Sequence, residues 1–174
     1  QFHPNHLTDL LNKPIFSYAN IPYRIKNYDQ LIVDSKHTIN FDFELDSHIE
    51  SLIPRLGTDA RLLMSNDHQV YHVTLLEKLL VPFLSKLSNM IPDGGIWLNT
   101  QRPEWNDANN ALVGNGISMV TLYYLHRYTQ FLVGILSDIE SPSFSISEEI
   151  IQWFKTILKI LHDHRHLLNK PAMD

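Results

Sequence analysis

Between Ala108 and Ser137 the chain places apolar side chains on nearly every side of a helix, among them Leu112, Val113, Ile117, Met119, Val120, Leu122, Leu125, Phe131, Leu132, Ile135 and Leu136. A helix apolar all round has to be covered all round. The segment therefore predicts a long buried helix with other elements packed about it. A lipid bilayer is excluded as that cover, because the most apolar stretch, Ile117 to Leu136, carries His126 and Arg127 at its centre with Thr121 and Gln130 beside them. Gly114 and Gly116 each cost a helix about 1 kcal/mol relative to alanine, which predicts a close backbone approach or a local break near its start.

The remaining pattern supplies partners for that helix. Leu45, Ile49, Leu52, Ile53 and Leu56 share one helical face, and Gly57 provides a C-terminal stop. Thr74 and Glu77 have the spacing of a capping box and open the stripe Leu76, Leu79, Leu80, Phe83, Leu84 and Leu87, a helix over 74–90 that Pro82 should kink. Ser145 and Glu148 repeat that spacing ahead of Ile150, Trp153, Phe154, Ile157, Leu158 and Leu161, a helix over 146–168. Residues 1–40, broken by Pro4, Pro14 and Pro22, read as irregular with helical turns near Leu7–Leu11 and Asp29–Val33. Leu62–Met64 and Val70–Val73 flank the polar run Ser65-Asn66-Asp67-His68 and suit a small hairpin. Pro92-Asp93-Gly94-Gly95 is a turn signal, followed by a loop from Ile96 to Asp107. The expected fold class is all-α, antiparallel helical hairpins with a minor β-hairpin, and residues 1–174 read as one helical domain or a fragment of a larger one.

Composition narrows function. With 19 acidic residues against 14 basic ones and a formal charge of −5, the chain lacks the basic footprint that a phosphate backbone demands, so nucleic acid is excluded as a partner. Cysteine is absent, which removes disulfides, thiolate catalysis and cysteine zinc sites together. The opening Gln1-Phe2-His3-Pro4 has neither an initiator Met nor a basic and apolar leader pattern, and reads as the start of an excised piece.

The segment richest in chemistry runs from Gly94 to Asn110. It gathers Trp97 and Trp105, Glu104 and Asp107, Arg102, and a run of amides that includes Gln101, Asn106 and Asn109. A pyranose presents hydroxyls at its edge and C–H groups on its faces. Amides and carboxylates therefore recognise the edge, an indole stacks on the face, and a carboxylic acid can protonate the glycosidic oxygen. The same residues also have a purely structural account: Asn106 or Asp107 as a helix cap, Trp97 and Trp105 as core anchors, Arg102 paired with Glu104. A cap needs one polar residue, and this loop carries many.

The string Arg102-Pro103-Glu104-Trp105-Asn106-Asp107-Ala108-Asn109-Asn110 resembles the Trp-Asn-Asp loop of the six-hairpin, (α/α)6-barrel glycosidases and glycoside phosphorylases, with the cellobiose phosphorylase pattern the nearest. Its continuation Ala111-Leu112-Val113-Gly114-Asn115-Gly116 is similar to that of large bacterial proteins related to the superfamily. The resemblance implies Asp107 as general acid and Trp105 as the lining of a sugar subsite, with an oligosaccharide or polysaccharide as substrate. Glu104 and Ala108 stand where the phosphorylase pattern has Asp and Gly. The alternative to an enzyme is a noncatalytic carbohydrate-binding or structural helical module.

Twelve helices with their connections need roughly 200 residues, more than the 174 present. The expectation is therefore a partial toroid belonging to a larger catalytic domain. Its stripes Leu76/Leu80/Phe83 and Trp153/Ile157/Leu161 would be left without all their natural neighbours and favour a homo-oligomer or an aggregation-prone monomer.

No metal and no cofactor are expected. His162 and His166 are one helical turn apart, but Asp163 stands where a zinc-protease helix needs Glu. No Gly-rich phosphate loop occurs. Tyr123, Tyr124, His126, Arg127 and Tyr128 read as packed aromatics and their neighbours on the buried helix.

Overall fold

The structure, a computed structural model, describes residues 4–99, 111–137, 139 and 143–168. The described residues fall into two compact units, one drawn from 1–13, 74–98 and 116–174, the other from 14–73 and 99–115.

The first unit is organised around α4 (Leu75–Leu87), which packs against α1 (Pro4–Asn12), α5 (Met119–Ser137) and α6 (Glu148–Asp163). A short α7 (Arg165–Leu168) follows. The leucine stripe of α4 explains its central place: Leu76 and Leu84 are buried, Leu84 completely, and Leu11, Leu125, Leu132 and Ile157 from its neighbours are buried with them. Pro82 does not end the helix. Proline removes one rung of the hydrogen-bond ladder, and near it the Leu79 carbonyl accepts an additional bond from the Tyr128 hydroxyl at 3.0 Å, tying α5 to α4. A three-stranded antiparallel sheet, ordered β5 (Met90–Ile91), β6 (Gly95–Trp97) and β7 (Ile117–Ser118), completes the unit. The predicted Pro-Asp-Gly turn joins β5 to β6, with Asp93 at φ +57°, a left-handed conformation that aspartate tolerates better than most residues.

Glu77 has a role that its position in a capping box does not reveal. Thr74 caps α4 as expected, its hydroxyl accepting the Glu77 N–H. The Thr74 hydroxyl also reaches the Ser145 carbonyl, and the buried Glu77 carboxylate accepts the N–H of Ser147 at 2.8 Å. Ser147 is the N-cap of α6 and makes no side-chain cap of its own. A carboxylate from another helix thus joins Glu148 and Glu149 of the first turn at the positive end of the α6 dipole. The expected capping box at Ser145 and Glu148 is not formed; Ser145 is instead held through its carbonyl. Replacing Glu77 with alanine should lower the unfolding free energy by about 2 kcal/mol, the worth of a charged, shielded hydrogen bond, read as a shift in the urea midpoint.

The described residues of the second unit include two two-stranded antiparallel sheets and two helices. β1 (Phe16–Ser17) pairs with β4 (His72–Val73), and β2 (Tyr23–Ile25) pairs with β3 (Ile39–Phe41) in the register Tyr23↔Phe41 and Ile25↔Ile39. The predicted hairpin at 61–73 is present, with Met64 bridged to Val70 and the Tyr71 N–H bonded to the Leu63 carbonyl. Segment 16–19 pairs with both of its arms. Helix α2 (Tyr28–Val33) begins with a full capping box between Asn27 and Gln30. Helix α3 (Phe43–Leu56) buries Ile49 and stops at Gly57, which takes φ +60°.

Three expectations are corrected. The chain is mixed α and β, with three small antiparallel sheets, and the described residues show no toroid of helical hairpins. The helix expected over 108–137 is a long helix only from Met119: Gly114 lies at φ +77°, residues 113–115 turn, and 117–118 form β7. This is the break the two glycines foretold. Nor is that helix covered on every side, since Leu125 and Leu132 are buried whereas Val120, Tyr123, Tyr124, Phe131 and Val133 are more than half exposed. The helix expected over 146–168 is interrupted at His164.

Candidate functional site

Of the residues assigned to sugar chemistry, Gln101, Arg102, Glu104, Trp105, Asn106, Asp107 and Asn109 lie outside the described residues. What the structure describes is the pair of ends that carries them. Strand β6 leads in and β7 leads out, paired antiparallel with Ile96 opposite Ser118 and Trp97 opposite Ile117. One residue further, the Leu98 N–H donates to the Gly116 carbonyl at 3.0 Å. The Trp-Asn-Asp string is therefore borne on a connection that starts and finishes on neighbouring strands. This was not foreseen, because the reading of 96–107 as loop missed β6.

Trp97 sits at the root of that connection. Its N–H donates to the Asn89 carbonyl at 2.8 Å, so the residue is fixed from both sides as part of the central strand. Ile96 is fully buried. Side chains alternate across a strand, so Trp97 faces away from Ile96 and is half-buried.

At the other end, Gly114 approaches the turn at Ser35 so closely that a Cβ built on it would fall 2.2 Å from the Ser35 carbonyl oxygen. The Ser35 hydroxyl and Asn115 Oδ1 are 3.4 Å apart. In the same turn His37 Nδ1 lies 2.7 Å from Asp34 Oδ2. The ring nitrogen donates to the carboxylate, and this bond holds Asp34 below the 3.8 of an ordinary aspartate. Since the folded value is depressed, any stability the pair contributes is present at neutral pH and lost as the pH falls through that value. An NMR titration should show the Asp34 carboxyl with a midpoint below 3.8, rising in His37→Ala.

The histidines near the C-terminal end do not share one helix. Helix α6 ends at the His164 cap, so His162 and His166 belong to different helices, and the described residues contain no group of three or more His, Asp or Glu side chains able to hold a metal. Tyr123 and Tyr124, read as packed, are among the most exposed side chains of α5, and Arg127 lies 5.8 Å from the centroid of the Tyr124 ring. Between α4 and α5 an apolar groove of about 390 Å³ is lined by Pro82, Phe83, Lys86, Thr121, Tyr124, Leu125 and Tyr128. No helix among the described residues is long and apolar enough to cross a membrane.

Compared with family models and with curated proteins, the chain has no match.

Proposed function

We propose that the chain serves glycosidic-bond chemistry on an oligosaccharide or polysaccharide by general acid catalysis. Asp107 is the acid that protonates the leaving oxygen, with Glu104 the alternative carboxylate for that role. Trp105 and Trp97 offer faces for stacking. Gln101, Arg102, Asn106 and Asn109 bond the sugar hydroxyls. The observation that carries the reading is the string Glu104-Trp105-Asn106-Asp107 within a loop dense in amides.

The test is turnover and binding on 4-nitrophenyl glycosides and on cellobiose, with and without inorganic phosphate. Release of nitrophenol, or of glucose 1-phosphate only when phosphate is present, is the expected outcome, with Trp105→Ala weakening substrate binding by about tenfold. Sugar binding without turnover would make the chain a carbohydrate-binding module. Neither binding nor turnover, with Trp105→Ala indistinguishable from wild type, would overturn the reading.

We propose in addition that the chain self-associates. The stripes first held responsible do not support this, since Leu76 and Ile157 are buried and Leu80, Phe83, Trp153 and Leu161 are at least partly covered. Support comes from the apolar side chains that α5 leaves exposed.

A further inference from the structure

We infer that the exposed face of α5 is a two-fold interface with a second copy of this chain, the two helices antiparallel and crossing at Arg127. This rests on the proposal of self-association and adds the surface; it is independent of the glycosidic reading. Val120, Tyr123, Tyr124 and Phe131, exposed by 65, 67, 63 and 54%, recur at the three- and four-residue spacing that places them on one side of a helix together with Arg127 and Gly134. The order of that stripe is what selects a second copy. In an antiparallel pair centred on Arg127, Tyr123 meets Phe131 of the second copy, and Val120 meets its Gly134. Tyr123 thus finds the Phe131 ring, Val120 finds the residue with no side chain, and Tyr124 falls opposite Gln130.

Gly134 is otherwise unexplained. It lies within the last turns of α5, it is exposed, and a Cβ built there meets nothing within 4 Å of its own chain. Glycine costs a helix interior stability, and nothing among the described residues demands it; a close approach by another helix would. Arg127 at the centre is drawn along its own helix toward the Tyr124 ring, which keeps the two guanidinium groups from having to meet on the axis. The area suits reversible association. An aromatic side chain covers about 150–250 Å², so at these exposures the stripe offers on the order of 450 Å² per copy, and the pair about 900 Å², the size of a weak but specific contact.

The experiment is sedimentation equilibrium of the chain over about 1–500 µM, a range that brackets the dissociation of a weak contact, with three variants. Wild type is expected to pass from monomer to dimer across that range. Gly134→Gln, which adds a good helix former where the chain itself leaves room, should keep the helical circular dichroism and the thermal midpoint of the monomer while weakening the dimer by tenfold or more. Tyr123→Glu should do the same from the other end of the stripe. Phe154→Glu, an exposed apolar position on α6, should leave the dimer unchanged. A chain that stays monomeric throughout would overturn self-association and with it the interface. A dimer that tolerates Gly134→Gln and Tyr123→Glu, or that Phe154→Glu abolishes, would overturn the assignment to α5 alone.

Discussion

Replacing Asp107 with asparagine should lower turnover of a cleavable glycoside about 10²–10⁴-fold, the usual contribution of a general acid. The substitution isolates the proton. Asparagine keeps the shape of the side chain and most of its hydrogen bonding, so KM should change little while kcat falls. The fall should be smallest for 4-nitrophenyl glycosides, whose leaving group departs without full protonation, and largest for a disaccharide. A residue that merely capped a helix would behave otherwise, because asparagine caps about as well as aspartate. Full activity in Asp107→Asn, followed by its loss in Glu104→Gln, would move the acid to Glu104. The stability of the fold should be the same in both variants, which separates chemistry from folding.

Gly114→Ala should cost about 3 kcal/mol or more of unfolding free energy, measured as a lowered denaturant midpoint. Two penalties combine at this position. The backbone there has φ +77°, which an L-residue enters at a cost of roughly 1–2 kcal/mol. The new methyl group would in addition sit 2.2 Å from the Ser35 carbonyl oxygen, a distance that no rotamer relieves because both atoms belong to rigid parts of their residues. One of the two backbones has to move. A loss at Gly114 no larger than the conformational cost of about 1–2 kcal/mol would show that the approach to Ser35 is looser than the geometry indicates.

The helices were legible where a continuous stripe met a recognisable boundary. Leu45 to Leu56 with Gly57 behind it, and Thr74 ahead of Leu76, identified α3 and α4 closely, because capping and the 3.6-residue period act within a few residues of chain. The start of α2 was legible too in principle: Asn27 and Gln30 carry the reciprocal cap, and the spacing of an amide three residues after an Asn signals it. Apart from the hairpin at 61–73, the strands were not. At two or three residues each they are too short to show an alternating pattern, and β1 pairs with β4 across more than fifty residues of chain. The chemistry proposed for Asp107 rests on residue types, whereas the pairing of β6 with β7 was not legible, for the same reason.

From the sequence by itself came the amphipathic faces, the caps at Thr74 and Gly57, the turn at Pro92-Asp93, the break at Gly114 and the concentration of amides, carboxylates and indoles near Trp105. Each depends on interactions within a turn or two of the backbone, whose energies the local residues set. Only the tertiary structure decided which apolar surfaces are used. Leu76 and Ile157 are consumed in the core, Tyr123 and Phe131 are left at the surface, and Glu77 caps α6 instead of serving only its own helix. Burial is non-directional and depends on which segments happen to meet, so a helix apolar on all sides states that cover is needed without naming what supplies it.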